Sequence, residues 1–495
     1  MDKNGNQSNK MKSKVFSGII WTFLERTASQ SVTLILSIIL ARLLSPDEYG
    51  VISIVMIFIS VANVFITSGF GNALIQKKNA DNLDFSSVFY FSFFLSLALY
   101  IILFFAAPII SFYYRMPELT MVMRVLGLYI PIIGFNAVQE ALVSKYMMFK
   151  KFFISTLSGT ILSAIIGIIC AYLGAGVWAL VAQRLSNVLI NTIVLWRIVE
   201  WRPTLEYSFT RMKSIISYGW KLFVSSLIGS LSDNLRNFII GIKFSPEALA
   251  LYTQGNSYPN QIGTNINSTI SKVLFPALSE FQDDLEKTRH IMRRAIKIST
   301  YIMTPMLIGL AAIANPLVKL LLTDEWLGIV EYIQIFSIYF IFIPIHTINL
   351  QVIKAIGRSD LFLKLEIIKR TYGLLILFIT VFFFNSVTTI ALGMVLQTLI
   401  SCFVNASPNK KILKYGYIQQ MRDIVPNLVV SFVMGICVYS INLLNLNLIQ
   451  LLLLQVIVGA ITYILISYMF RLDSFKYLSS IILSKTNKWK LAFKR

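Results

Sequence analysis

The stretch GIIWTFLERTASQSVTLILSIILARLLSPDEYGV, from Gly18 to Val51, returns about two hundred residues later as SYGWKLFVSSLIGSLSDNLRNFIIGIKFSPEALALY, from Ser217 to Tyr252. Trp21 aligns with Trp220 at an offset of 199, and Ser45-Pro46 with Ser245-Pro246 at an offset of 200, so one gap relates the copies. Each copy holds an apolar run of the ~20 residues that a helix needs to cross ~30 Å of hydrocarbon. Each then meets a Ser-Pro pair, punctuation that generic apolar sequence does not carry. Six apolar spans separate the two starts, an even number, so both copies enter the membrane from one side. That makes a parallel repeat about an axis along the membrane normal.

Working outward, apolar segments continue almost unbroken from residue 17 to 470. Fourteen spans are expected, centred near Ile35, Val61, Leu97, Ile132, Ile165, Leu189, Ile228, Ile262, Leu307, Ile341, Leu377, Leu396, Val433 and Ile457. With 56% hydrophobic and only 14% charged residues among 495, the chain lacks the charge that a soluble surface requires. The expected fold is an all-α integral membrane protein of about fourteen helices. A polar segment at 1–14 precedes an N-lobe at 15–200 (helices 1–6) and a linker at 201–211. A C-lobe at 212–408 (helices 7–12), two further helices within 409–470 and a basic tail at 471–495 complete it.

The net charge of +21 does not point to nucleic acid, because the basic residues gather in alternate short loops. Lys77, Lys145, Lys150, Arg197, Arg211, Arg289, Arg293, Arg294, Lys354, Arg358, Lys410 and Lys411 fall in one set of loops. The intervening loops hold Asp47, Glu48, Glu118, Glu247, Asp324 and Glu325. The positive-inside rule then makes the basic loops and both termini cytoplasmic. The first apolar stretch is too long for a signal peptide and reads as a span. The polar segment PALSEFQDDLEKTRHIMRRAIK is expected to be an amphipathic cytoplasmic helix, and the tryptophans are expected at span ends or in the basic tail. The tail itself, with Trp489, suits an interfacial helix on anionic lipid or a solvated extension.

Ionisable groups at membrane depth are costly and are therefore functional candidates that should face a wet or protein-lined cavity. Arg26, Gln30, Thr33 and Ser37 share one face of the first span, beside Glu25. Asp233, Arg236 and Asn237 lie near one stripe of its repeat partner. Arg184, Asn187 and Asn191 mark the sixth span, and Glu140 flanks the fourth. The eighth span is the most polar, with Asn256, Asn260, Gly263 and Asn267 on one face and Gln254, Gln261, Asn265 and Lys272 on another. Guanidinium forks match phosphate oxygens, and amides match sugar hydroxyls. The expected binding residues are Arg26, Gln30, Arg184, Asp233, Arg236, Asn256, Asn260, Asn267 and Lys272, with Glu25, Glu140 and Asp233 as ion-coupling candidates.

Enzymatic signatures are missing. There is no P-loop, His290 and His346 are isolated, and Cys170, Cys402 and Cys437 sit singly in apolar spans, so no metal, cofactor or catalytic triad is expected.

The opening stretch through SGFGNALIQKK, and above all ARLLSPDEYG, resembles polysaccharide flippases of the Wzx-type branch of the MATE-like (MOP) superfamily. The likeness is to the lipopolysaccharide, colanic-acid or teichuronic-acid exporters and runs through YTQGNSYPNQIGTNINSTISKVLFPALS in the eighth span. It implies two six-helix lobes plus two helices that pass undecaprenyl-diphosphate-linked oligosaccharide across a bacterial inner membrane. It also implies membrane lipids, a polysaccharide polymerase and chain-length proteins as partners. Rival readings are a MATE-type drug exporter, which the lumenal arginines disfavour, and a membrane polymerase or ligase, which the short outer loops disfavour.

Overall fold

The computed structural model describes residues 3–480 apart from 68–70, 72–73, 76, 78–79 and 282, so the part of the basic tail from 481 onward, with Trp489, lies outside the described residues. The helices are α1 (Lys3–Leu43), α2 (Pro46–Thr67), α3 (Asn82–Tyr114), α4 (Leu119–Leu126), α5 (Tyr129–Lys145), α6 (Phe149–Tyr172), α7 (Val177–Ile198) and α8 (Phe209–Lys243). There follow α9 (Pro246–Glu280), α10 (Leu285–Leu321), α11 (Ile329–Ile341), α12 (Ile343–Ala355), α13 (Ser359–Phe383), α14 (Val387–Ile412), α15 (Tyr417–Ser440) and α16 (Leu448–Met469). No strand occurs among the described residues. Among the described residues, ten segments, counting α4–α5 and α11–α12 as one each, are long and apolar enough to cross a membrane. Those ten do not include α1, α8, α9 and α13, where polar residues interrupt the apolar run. The chain divides into two compact units, Met1–Ala250 and Leu251–Arg495.

In the first unit both copies of the repeat form a long helix, a corner and a new helix. Ser45 stands at the first corner, where its amide and hydroxyl donate to Glu48 Oε2 at 2.7 and 3.2 Å. At the second corner the Ser245 hydroxyl accepts from the Ala248 amide at 3.0 Å. The corners also meet: a Cβ on Gly50 would lie 2.3 Å from the carbonyl oxygen of Pro246, so only glycine fits there. Small residues also join α6 to α7. Gly159, Ser163 and Gly167, spaced four residues apart, form a stripe against Asn191, Asn187 and Gln183, and Asn187 Nδ2 donates to Ser163 Oγ at 3.2 Å. Close backbone approach of this kind replaces the hydrophobic drive that lipid cannot supply.

Asp84, fully buried at the head of α3, pairs with Lys77 at 2.6 Å and with Arg211 of α8 at 3.3 Å. It also completes a capping box with Asp81, whose carboxyl the Asp84 amide holds below the usual carboxylate range. Lys145 donates to the Leu74 carbonyl at 2.9 Å. Lys77, Lys145 and Arg211 thus do local structural work in addition to marking a basic face. Asp84→Asn should cost about 3 kcal/mol, because it leaves two cations facing a neutral group. Arg211→Gln should cost under about 1 kcal/mol, since that guanidinium is 41% exposed. Thermal unfolding of the detergent-purified variants checks this, and equal melting temperatures for Asp84→Asn and wild type would refute it.

In the second unit α10 corrects one expectation. The segment expected as a separate amphipathic helix is the end of α9, a short break, and the first turns of the 37-residue α10. Asp284 caps α10 by accepting from the Lys287 amide at 3.0 Å, and no glycine or proline follows before Pro305, so the helix runs on into the apolar span. A second correction concerns Trp326, which is fully buried rather than anchored at an interface. Three buried carboxamides, Asn349, Asn409 and Gln420, join α12, α14 and α15 by hydrogen bonds of 2.7 to 2.9 Å. Because each has a partner, together they fix helix register where lipid could not satisfy them.

Candidate functional site

α1 packs on α6, with Trp21 and Phe153 rings 5.3 Å apart. It buries Leu36, Leu40 and Ala41 and leaves Arg26 and Thr33 uncovered by protein, with Glu25 and Gln30 half-buried. On α7, Arg184 is exposed and Glu140 of α5 is half-buried, accepting from Asn136 Nδ2 at 3.0 Å. Tyr129, at the head of α5, lies within electrostatic reach of both charges. α8 packs on α2 and α3, where Phe223 meets Phe65 at 4.9 Å, and it carries Asp233 exposed and Arg236 half-buried. The three arginines therefore sit on three helices of the first unit, α1 and α7 packing on α6, and α8 packing on α2 and α3. Asn187 and Asn191, grouped with Arg184 from the sequence, instead serve the α6–α7 contact.

In the second unit the polar eighth span is α9. Its packing stripe is Tyr252, Gly255, Pro259 and Gly263, all buried. A Cβ on Gly255 would lie 2.4 Å from Tyr332 Cβ, and one on Gly263 would lie 2.3 Å from Phe340 Cδ1. Gly263 thus contacts α11 at the edge of the asparagine face, because positions 256, 260, 263 and 267 fall within about 60° of one another around the helix. Asn256, Asn260 and Asn267 run beside that stripe, half-buried. The side-chain oxygens of Asn256 and Asn267 are buried with no hydrogen-bond partner among the described residues. Lys272 lies on α9, but its side chain is outside the described residues.

Two polar groups escaped the sequence reading. On α13, Lys369 donates to Glu366 at 2.5 Å and Tyr372 hydrogen-bonds Ser401 of α14 at 2.6 Å. His346 of α12 lies within electrostatic reach of Lys369. Charges inside a span were the same signal that singled out Arg26, so α13 was open to the same reading. The other group is ionic, at the start of α10. Arg293 forks onto Asp423 of α15 with two bonds of 2.6 Å, and Tyr415 donates to Asp423 at 2.8 Å. Lys297 bridges Asp423 at 3.3 Å and Asp473 at 2.9 Å, and its hydrogen bond holds the Asp473 carboxyl below the usual range. Their partners lie some 130 residues or more away, so no local pattern announced them.

Cationic groups left uncovered and amide oxygens left unpaired suit an anionic, hydroxyl-rich solute, and among the described residues no cluster could hold a metal ion. Comparison with known proteins agrees in class. Residues 39–331 match the family model described as polysaccharide biosynthesis protein. The lipopolysaccharide biosynthesis protein WzxC of Escherichia coli (strain K12) is 22% identical, over 86% of this chain and 88% of that protein. The succinoglycan biosynthesis transport protein ExoT of Rhizobium meliloti (strain 1021) is 24% identical over 62% of each. Among solved structures, the lipid II flippase MurJ in its inward closed conformation superposes with a TM-score of 0.73 at 15% identity, covering 92% of this chain and 98% of that one.

Proposed function

We propose that this chain, which belongs to the polysaccharide biosynthesis protein family and has the fold of the MATE-like (MOP) superfamily, flips undecaprenyl-diphosphate-linked oligosaccharide across the bacterial inner membrane. It acts as a transporter and not as an enzyme, serving surface polysaccharide synthesis beside a polymerase and chain-length proteins. Both termini are cytoplasmic, and fourteen spans form two six-helix lobes, 15–200 and 212–408, plus two helices. The observation that carries the reading is that Arg26 and Arg184, at membrane depth, are uncovered by protein. A guanidinium facing hydrocarbon is costly, so these groups line a wet lumen, where they meet the diphosphate while Gln30, Asp233, Asn256, Asn260, Asn267 and Lys272 meet the sugars.

The lobes rock between inward-open and outward-open states while the polyprenyl tail stays in lipid. Each negative charge leaving an electrically negative cytoplasm gains about 2.3 kcal/mol per 100 mV, and Glu25, Glu140 and Asp233 are the groups that would carry a coupled ion. Proteoliposomes holding the purified chain and a fluorescent undecaprenyl-diphosphate sugar test the reading. The chain should expose inner-leaflet substrate to an external quencher within minutes, whereas empty vesicles should not. Equal rates in both would refute the function.

A further inference from the structure

The second unit contains a cavity of about 980 Å³ walled by α9, the first turns of α10 and the helical segment 473–480. Its walls are mostly apolar, with Ile266, Ile270, Ile298 and Ile302 among them. Ile302 is 40% exposed, so the wall continues onto the outer surface. The polar part is concentrated at the head of α10. Arg293, Arg294 and Lys297 line it, and the first and third are neutralised by Asp423 and Asp473. Three cations against two carboxylates leave one over. It is Arg294, whose guanidinium lies 4.5 Å over the Tyr477 ring and has no carboxylate partner among the described residues. From Arg294 to Ile302 the α10 wall changes from cationic to apolar over about 12 Å, the step from headgroup to acyl chain at a membrane surface.

We propose that this cavity binds one anionic phospholipid, with its phosphodiester on Arg294 and an acyl chain along Ile298 and Ile302. A phosphodiester carries the single negative charge that Arg294 leaves unmatched. Among the Lys and Arg side chains lining the cavity, a polyprenyl diphosphate would bring a second charge with no further partner to meet it, and free phosphate would gain nothing from the isoleucines. The site is thus separate from the transported lipid and does not depend on what the chain carries.

Native mass spectrometry of the full-length protein, titrated with phosphatidylglycerol or phosphatidylcholine, tests this. Wild type should prefer phosphatidylglycerol about tenfold, because phosphatidylcholine offers the same phosphodiester but adds a quaternary ammonium that the uncompensated charge of Arg294 repels. Arg294→Gln should abolish the preference, while Arg471→Gln, outside the cavity, should keep it. Ile302→Trp, which fills the apolar end, should weaken both lipids, and it decides the matter if Arg294→Gln does not fold. Three results would overturn the proposal: a preference that survives Arg294→Gln, binding that survives Ile302→Trp, or displacement of phosphatidylglycerol by inorganic phosphate or by lower concentrations of undecaprenyl diphosphate.

Discussion

Alanine at Arg26, Arg184 or Arg236 should stop glycan export while leaving the protein folded and in the membrane. A diphosphate crossing hydrocarbon unaided faces a desolvation cost of tens of kcal/mol by Born estimates, and a wet cationic lumen is what lowers it. Arg26 and Arg184 are uncovered by protein, so their truncation removes charge without opening a core cavity. Lysine should rescue in part, since it keeps the charge and loses the bidentate fork. The readouts are surface polysaccharide, which should fall, and lipid-linked intermediate, which should accumulate on the cytoplasmic leaflet. A drug exporter would show altered drug sensitivity with normal polysaccharide instead. Normal export by all three variants at wild-type abundance would sink the cationic lumen.

Gly50→Val should be the most damaging single substitution outside the lumen. The new Cβ would fall 2.3 Å from the Pro246 oxygen, 2.4 Å from its carbonyl carbon and 2.7 Å from its Cβ. Backbone cannot swing aside as a side-chain tip can, so the corner between α8 and α9 must move. Overpacking costs about 1–3 kcal/mol in tolerant cores, and two rigid corners should place Gly50→Ala near the upper end and Gly50→Val beyond it. Membrane abundance and melting temperature should both drop in that order. Gly309→Ala is the control, because its nearest new contact is Met434 Cε at 3.8 Å. If Gly50→Val matched Gly309→Ala in melting temperature, the contact between the corners would be wrong.

The membrane class, the long helices and the two Ser-Pro corners were legible in the chain. Span length follows from apolar run length, and a helix end follows from its own cap, so each is written within a few residues. The first-span face with Arg26 was legible too, since helical period alone says which residues share a stripe. What a stripe meets is another matter. Asn187 and Asn191 share a stripe with Arg184, yet they face Gly159 and Ser163 of the neighbouring helix. Lys77, Arg211 and Arg293 read as topology charges until Asp84 and Asp423 supplied their partners. The sequence by itself therefore determined the apolar spans, their caps and their repeat. Only the tertiary structure decided which polar groups are spent on other helices and which are not, because periodicity fixes a direction around one helix axis, while the partner in that direction comes from a helix distant in the chain.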